Sequence, residues 1–443
     1  MTAEITILNK NAVAMAADSA STVRKEQSKK IFTSANKIFT LSKYAPVGIM
    51  VYGSGSLMNV PWETIIKMYR KKLGDKKFEK LGEYAEHFIE YLSGNTNLFP
   101  KEEQRRYVKE TIYSYYMNVI VEDIISEVDD VFEKNGEIEE QNTKQIVDSI
   151  IQKHYDIWQK ADSIVKNFDE ESENLIDKYS DLIKGVKQKV FNKIPVSNKS
   201  YKLLDNISAS LFLKFALSRG NISGVVITGF GEKDVFPAMN SYQIEGVANG
   251  ILKYRLDQEN KIDTENSAVI APFAQKEMVG TFIEGVNPEY QKNLQDLFIS
   301  TVKNIPEIIF EQIDSIEREK YQECENKIKS EIEEVLKDKL NTMDEYRKKN
   351  YVDPILNVVN FLPKDELAQM AEDLVNLTCL KKKVSMEDET VGGPIDVAVI
   401  SKGDGLIWIK RKHYFEQDLN YHFFENYFNN KGKNKNNKRN NNE

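Results

Sequence analysis

An α+β fold built on antiparallel sheets is predicted from three features of the sequence. Four short apolar runs crowd into the first 52 residues with no helix between them. Helical periodicity then holds to about residue 216, and strand-like runs return twice after it. Parallel neighbours need long crossover connections, so the opening run of strands favours antiparallel pairing. Helices in blocks between antiparallel strand groups suit a sandwich of sheets covered by helix layers.

Residues 3–8 (AEITIL) and 12–17 (AVAMAA) read as a hairpin with a turn at Asn9-Lys10-Asn11. Lys37–Leu41 and Val47–Tyr52 are two further strands. Pro61 then suits a first helical turn, and Ile65, Ile66, Tyr69 and Leu73 recur at helical spacing up to Gly74. Farther on, Ile164, Phe168, Leu175, Tyr179, Leu182, Val186 and Val190 form a stripe near heptad spacing. That stripe fits either a helical hairpin or coiled-coil arm, or a helix packed in an ordinary bundle. Strands are expected at Gly224–Thr228 and around Ser241–Tyr254, and helices at Glu289–Thr301 and through 305–350. An amphipathic helix over about 364–380 precedes a last strand pair, Ile395–Ile400 and Leu406–Ile409. The closing NNKGKNKNNKRNNNE has no apolar content and is expected to be disordered. The boundaries that follow are a core in three parts (1–74, 201–302 and 363–415), helical insertions at 75–200 and 303–362, and a C-terminal segment at 416–443.

Composition narrows the function. The net charge is −8, and the last fifteen residues alone carry five basic groups and one acid, so the body is more acidic still. An acidic body offers no face for phosphates, which argues against nucleic-acid binding. Two cysteines, Cys324 and Cys379, fit a reducing, cytoplasmic compartment. The four histidines show no metal-ligand spacing, no apolar run is long enough to span a membrane, and the N-terminus lacks the pattern of a signal peptide. Neither a metal nor an organic cofactor is expected.

A hydroxyl nucleophile needs a base beside it, and a terminal residue carries one in its own α-amine, with an ordinary pKa near 8. Thr2 follows the initiator Met1 and is small enough for Met1 to be trimmed. The segments MTAEITILNKNAVAMAADSAST, NKIFTLSKYAPVGIMVYGSGS and VGGPIDVAVISKGDG together resemble the proteasome β-subunits and their bacterial HslV-like relatives, which are N-terminal nucleophile hydrolases. The resemblance covers roughly half of the chain. It implies a four-layer αββα sandwich and a threonine peptidase with Thr2 as nucleophile. By the same matching, Asp18 is the acid after the second strand, Lys37 the catalytic lysine, Gly53 the oxyanion-hole glycine and Asp388 the acid before the glycine turn. Ser21, Ala35 and Val51 would line the substrate pocket. The expected partners are a polypeptide substrate, copies of the chain in a closed homo-oligomeric ring, and an ATP-dependent unfoldase.

Each assignment has a physical role. A lysine ammonium beside the hydroxyl favours its oxyanion-like state, and an aspartate beside the lysine keeps it charged and oriented. A backbone N–H at Gly53 would donate to the tetrahedral oxyanion. The chain departs from the family pattern where Val391 replaces a turn serine, and where Thr281–Val286 lacks the serine of a Gly-Ser-Gly segment. Both serines help position the amine and its proton-shuttling water. Two alternatives therefore stand beside the peptidase: an amidase acting on small amides, and an inactive scaffold that works through its helical insertions.

Overall fold

Asparagine makes the first turn. In the computed structural model, β1 (Ala3–Asn9) and β2 (Val13–Ala17) form an antiparallel hairpin. The Asn9 side-chain oxygen accepts the N–H groups of Asn11 (2.9 Å) and Ala12 (3.1 Å), which satisfies the turn backbone. The structure describes residues 2–25, 28–137, 139–215, 222–311, 315–386, 391–416 and 418–422, of which 23–25, 28, 29, 310, 311 and 315–325 are described by their backbone. The Asn/Lys-rich tail lies outside the described residues.

A hairpin that the sequence reading lacked comes next, β3 (Ser21–Lys25) with β4 (Ser28–Phe32). β5 (Ile38–Thr40) pairs with β6 (Val47–Gly53), and the short pair β7 (Ser56–Leu57) and β8 (Val60–Pro61) leads into α1 (Trp62–Leu73). Pro61 stands at the helix start, and Ile65, Ile66, Tyr69 and Leu73 are all buried, as their spacing requires. There follow α2 (Leu81–Ser93), α3 (Lys101–Tyr115), a π-helical turn at Tyr116–Ile120, α4 (Val121–Asn135) and α5 (Glu140–Lys160). Two-residue strands β9 (Asp162–Ser163) and β10 (Lys214–Phe215) bracket α6 (Phe168–Lys178), α7 (Ser180–Phe191) and α8 (Asn198–Leu213). β11 (Ser223–Gly229), β12 (Ala238–Ala248), β13 (Ile251–Lys261) and β14 (Ala268–Ala274) return to sheet. Last come α9 (Glu277–Glu284), α10 (Pro288–Glu311), α11 (Ser315–Arg347), α12 (Asp353–Phe361), α13 (Lys364–Val384), β15 (Asp396–Ser401) and β16 (Gly405–Lys410).

Among the described residues the chain is mixed α and β, with two five-stranded sheets ordered β14-β1-β2-β15-β16 and β13-β12-β11-β6-β5. Every pairing in them is antiparallel. Alternation sorts their side chains. Leu8, Val13 and Met15 of the first sheet share one apolar cluster with Met50, Val226 and Met239 of the second. On the other side of the second sheet, Ile49 and Ile227 pack with Trp62, Ile66 and Phe88 of α1 and α2. On the other side of the first, Ile5, Ile7 and Ala14 pack with Leu367, Ala371 and Leu374 of α13. Asn9 ties that side down as well, donating from its side-chain amide to the carbonyls of Val359 (3.0 Å) and Leu362 (2.9 Å).

The helices from α3 to α8 build a separate core around Ile112, Tyr116, Ile151, Trp158 and Ile207. The heptad-like stripe lies inside this bundle and is not a projecting arm. The helix breaks at Tyr179, and Leu175, Tyr179, Val186 and Val190 are buried there beside Ile183.

Candidate active site

Thr2 enters β1 in a buried position, only 7 % exposed. Strand alternation puts Thr2, Glu4 and Thr6 on one face of β1, and the register sets Glu4 against Ala17 of β2 and Phe273 of β14. Ala17 and Phe273 belong to the cluster between the two sheets, so Glu4 points into that interface. The Thr2 hydroxyl donates a 2.8 Å hydrogen bond to Glu4 Oε2.

Asp18 closes β2 and is completely buried. Its Oδ1 accepts the Ala3 N–H (3.0 Å) and is hydrogen-bonded by Lys37 Nζ; its Oδ2 accepts the N–H groups of Ala20 (3.2 Å) and Gly392 (2.8 Å). Four donors on one carboxylate fix its orientation completely. Lys37 sits just before β5, 6 % exposed, and its Nζ also lies 3.3 Å from Glu4 Oε1. The ammonium thus lies between two buried carboxylates, one of which holds the threonine hydroxyl.

The two carboxylates differ in surroundings. Glu4 receives only the Thr2 hydroxyl and the flank of Lys37, and Oε1 has no hydrogen bond of good geometry. Burial pushes the Glu4 carboxyl up from the usual 4.5 to about 7; Lys37 opposes the rise and the Asp18 charge adds to it. Tyr52, whose ring stacks on Phe273 at 5.2 Å, is pushed up to about 12 by burial.

The late glycine turn reaches this site through its backbone. The Ser19 N–H donates to Gly392 O (3.1 Å), and the Ser19 hydroxyl donates to the Pro394 carbonyl. Gly393 has φ +81°, and a Cβ there would stand 2.9 Å from Thr33 Cβ, so the turn closes only with glycine. Val391 joins the apolar cluster under α13. Thr281–Glu284 lies within α9. Asp388 lies outside the described residues.

Gly53 ends β6 opposite Ser223, with φ +78°. A Cβ there would lie 2.5 Å from the Ile222 carbonyl oxygen, so its glycine identity already has a packing reason. Of the three pocket candidates, Ser21 opens β3 half-buried, and half-buried Ala35 donates its N–H to Ser19 O (3.1 Å). Val51 donates its N–H to Lys37 O (2.9 Å), while its side chain joins the cluster under α1. A cavity of about 370 Å³ opens past Gly53, against Ser54, Ser56, Tyr107, Glu245 and Lys253, and does not include Thr2, Asp18 or Lys37. Its buried lysine is already used: Lys253 pairs with Glu245 at 2.9 Å and donates to Leu211 O at 2.8 Å.

The structure therefore brings Thr2, Asp18 and Lys37 together and adds Glu4, which the sequence reading missed. The available signal was an acid in a strand whose every other residue is threonine or apolar up to Asn9, with Thr2 and Thr6 two positions to either side. Among the described residues no group of His, Cys, Asp and Glu is placed to hold a metal ion, and no helix is long and apolar enough to cross a membrane. No family model matches the chain, and no curated protein matches it.

Proposed function

We propose that the chain is a threonine-type hydrolase of amide bonds, with Thr2 as the nucleophile and a polypeptide as substrate. The observation that carries this reading is the Thr2 hydroxyl, held in a buried cluster with one ammonium and two carboxylates. The packing of two antiparallel sheets between helices is what the αββα sandwich of N-terminal nucleophile hydrolases would require. The reading needs a mature chain that opens on Thr2.

In the reaction, Thr2 Oγ1 bonds to the substrate carbonyl carbon as its proton leaves. Lys37 lowers the cost of negative charge on that oxygen, and Asp18 keeps Lys37 aimed. The Gly53 N–H is the proposed donor to the tetrahedral oxyanion; such a donor typically contributes about 10²–10³ in rate. The C–N bond then breaks, the amine leaves with a proton, and water hydrolyses the ester on Thr2. A closed ring of copies and a partner unfoldase follow from the family resemblance alone.

Turnover of fluorogenic peptides tests the proposal. Thr2→Ala is expected to abolish cleavage and Thr2→Ser to retain part of it. Equal turnover in Thr2→Ala would remove Thr2 from the chemistry. Cleavage of small amides with none of peptides would transfer the site to the amidase reading.

A further inference from the structure

We propose that Glu4 is the general base of this site, taking the Thr2 proton in place of the α-amine; the inference rests on the Thr2 reading above. The geometry separates the two buried acids. Asp18 has all its hydrogen-bonding oxygens engaged by three backbone N–H groups and Lys37. Glu4 has one oxygen on the reacting hydroxyl at 2.8 Å and the other 3.3 Å from Lys37 Nζ in an ion pair of poorer hydrogen-bond geometry. A general base must stand within hydrogen-bond reach of the proton it removes, and Glu4 does. Pairs of acids whose surroundings differ in this way divide into a fixed charge and a proton carrier.

The two serine departures point the same way. Val391 carries no hydroxyl, and the Thr281 hydroxyl of α9 is spent on the Glu277 carbonyl at 2.8 Å, so neither segment offers the serine that would relay a proton. Glu4 supplies a direct route that needs neither. As Oγ1 bonds to the carbonyl carbon, Glu4 Oε2 takes its proton. Glu4 returns that proton to the leaving nitrogen when the C–N bond breaks. In deacylation Glu4 takes a proton from the attacking water and returns it to Oγ1 as the ester opens. No co-reactant beyond water is required.

The charged and titratable groups facing Glu4 are Lys37, Asp18 and, across the sheet interface, Tyr52. Burial raises its carboxyl to about 7, in the range where a base works at neutral pH. A purely structural Glu4, one that only pairs Lys37, would bring no titration of its own to the rate, so its loss would move the midpoint of the rise without removing the rise.

The test is acylation of Thr2 by a β-lactone, followed by intact mass across pH 5–9 in the full-length protein, its Glu4→Gln and its Glu4→Asp variants, each checked for folding by urea titration. Acylation joins Oγ1 to the lactone carbonyl, breaks the ring C–O bond and leaves the proton on the ring oxygen. Wild type is expected to gain one adduct, with a rate that rises through a midpoint near 7. Glu4→Gln is expected to be slower by about 10²–10⁴-fold and to lose that rise. Glu4→Asp, too short to keep the same contact, is expected to fall between them and keep the rise. A Glu4→Gln rate equal to wild type, or one lowered evenly with the rise intact, overturns the Glu4 assignment while Thr2 stands. Wild-type protein with no adduct on Thr2 overturns the nucleophile itself.

Discussion

Replacing Glu4 with glutamine is expected to change how stability depends on pH, whatever the chain catalyses. The folded protein holds the Glu4 proton more tightly than the unfolded chain, because ionisation there means an anion out of reach of water. The stabilisation from that proton is complete below the unfolded value of 4.5 and disappears as the pH climbs through about 7. At about 1.4 kcal/mol per pH unit, the interval between 4.5 and about 7 corresponds to roughly 3 kcal/mol. Glutamine keeps an acceptor for the Thr2 hydroxyl and never ionises. The difference in unfolding free energy between Glu4→Gln and wild type should therefore move in the variant's favour by roughly 3 kcal/mol between pH 4.5 and pH 8. Urea titrations at those two pH values, read by tryptophan fluorescence, measure it. A difference that stays constant within about 0.5 kcal/mol would refute the claim that Glu4 is buried and titrates near neutrality.

Other substitutions probe the same frame. Lys37→Met leaves two buried carboxylates facing each other without their cation; it should destabilise by about 3–5 kcal/mol near pH 8 and by less near pH 5, where Glu4 is protonated, as measured by the same titration. Asn9→Ala removes four hydrogen bonds and leaves the Val359 carbonyl with only the Leu362 N–H, for an expected loss of about 2–4 kcal/mol and faster amide exchange at the β1–β2 turn. Gly53→Ala forces a Cβ to 2.5 Å from the Ile222 carbonyl at positive φ, so it should destabilise by more than about 1 kcal/mol; a neutral effect would place that strand end elsewhere. The ring expectation is tested by light scattering: a mass that is a multiple of 51.1 kDa is expected, and a monomer at all concentrations would remove the ring.

Much of the sheet framework was legible because its signals are local. The Asn9 turn, the burial of α1 and the late β15–β16 pair follow from alternation, helical spacing and turn chemistry. Other elements were hidden by rules that tertiary context overrode. β14 contains Pro272, which argues against a strand, yet β14 is an edge strand, where a proline can be accommodated. The residues around Ser241–Tyr254 form a hairpin turning at Asn249-Gly250, both at positive φ, a sequence signal that was present and unread. The heptad-like stripe could not reveal that Tyr179 breaks the helix or that six helices share its core.

The candidate site divides the same way. Asp18 and Lys37 were found by matching segments, and the contacts of Asp18 with Ala3 and Gly392 and of Lys37 with Glu4 link residues apart in the chain. Glu4 went unnoticed because an acid in a short strand ordinarily faces solvent. Only the pairing of β1 between β2 and β14, with the second sheet across from it, makes that position interior.

The most direct test of the central claim is an epoxyketone, which reacts only with a residue bearing both a nucleophilic hydroxyl and a free α-amine. Tandem mass spectrometry of the treated protein should find a single adduct on a Thr2 that begins the chain, absent in Thr2→Ala. An untouched Thr2, or an adduct that persists in Thr2→Ala, would contradict it.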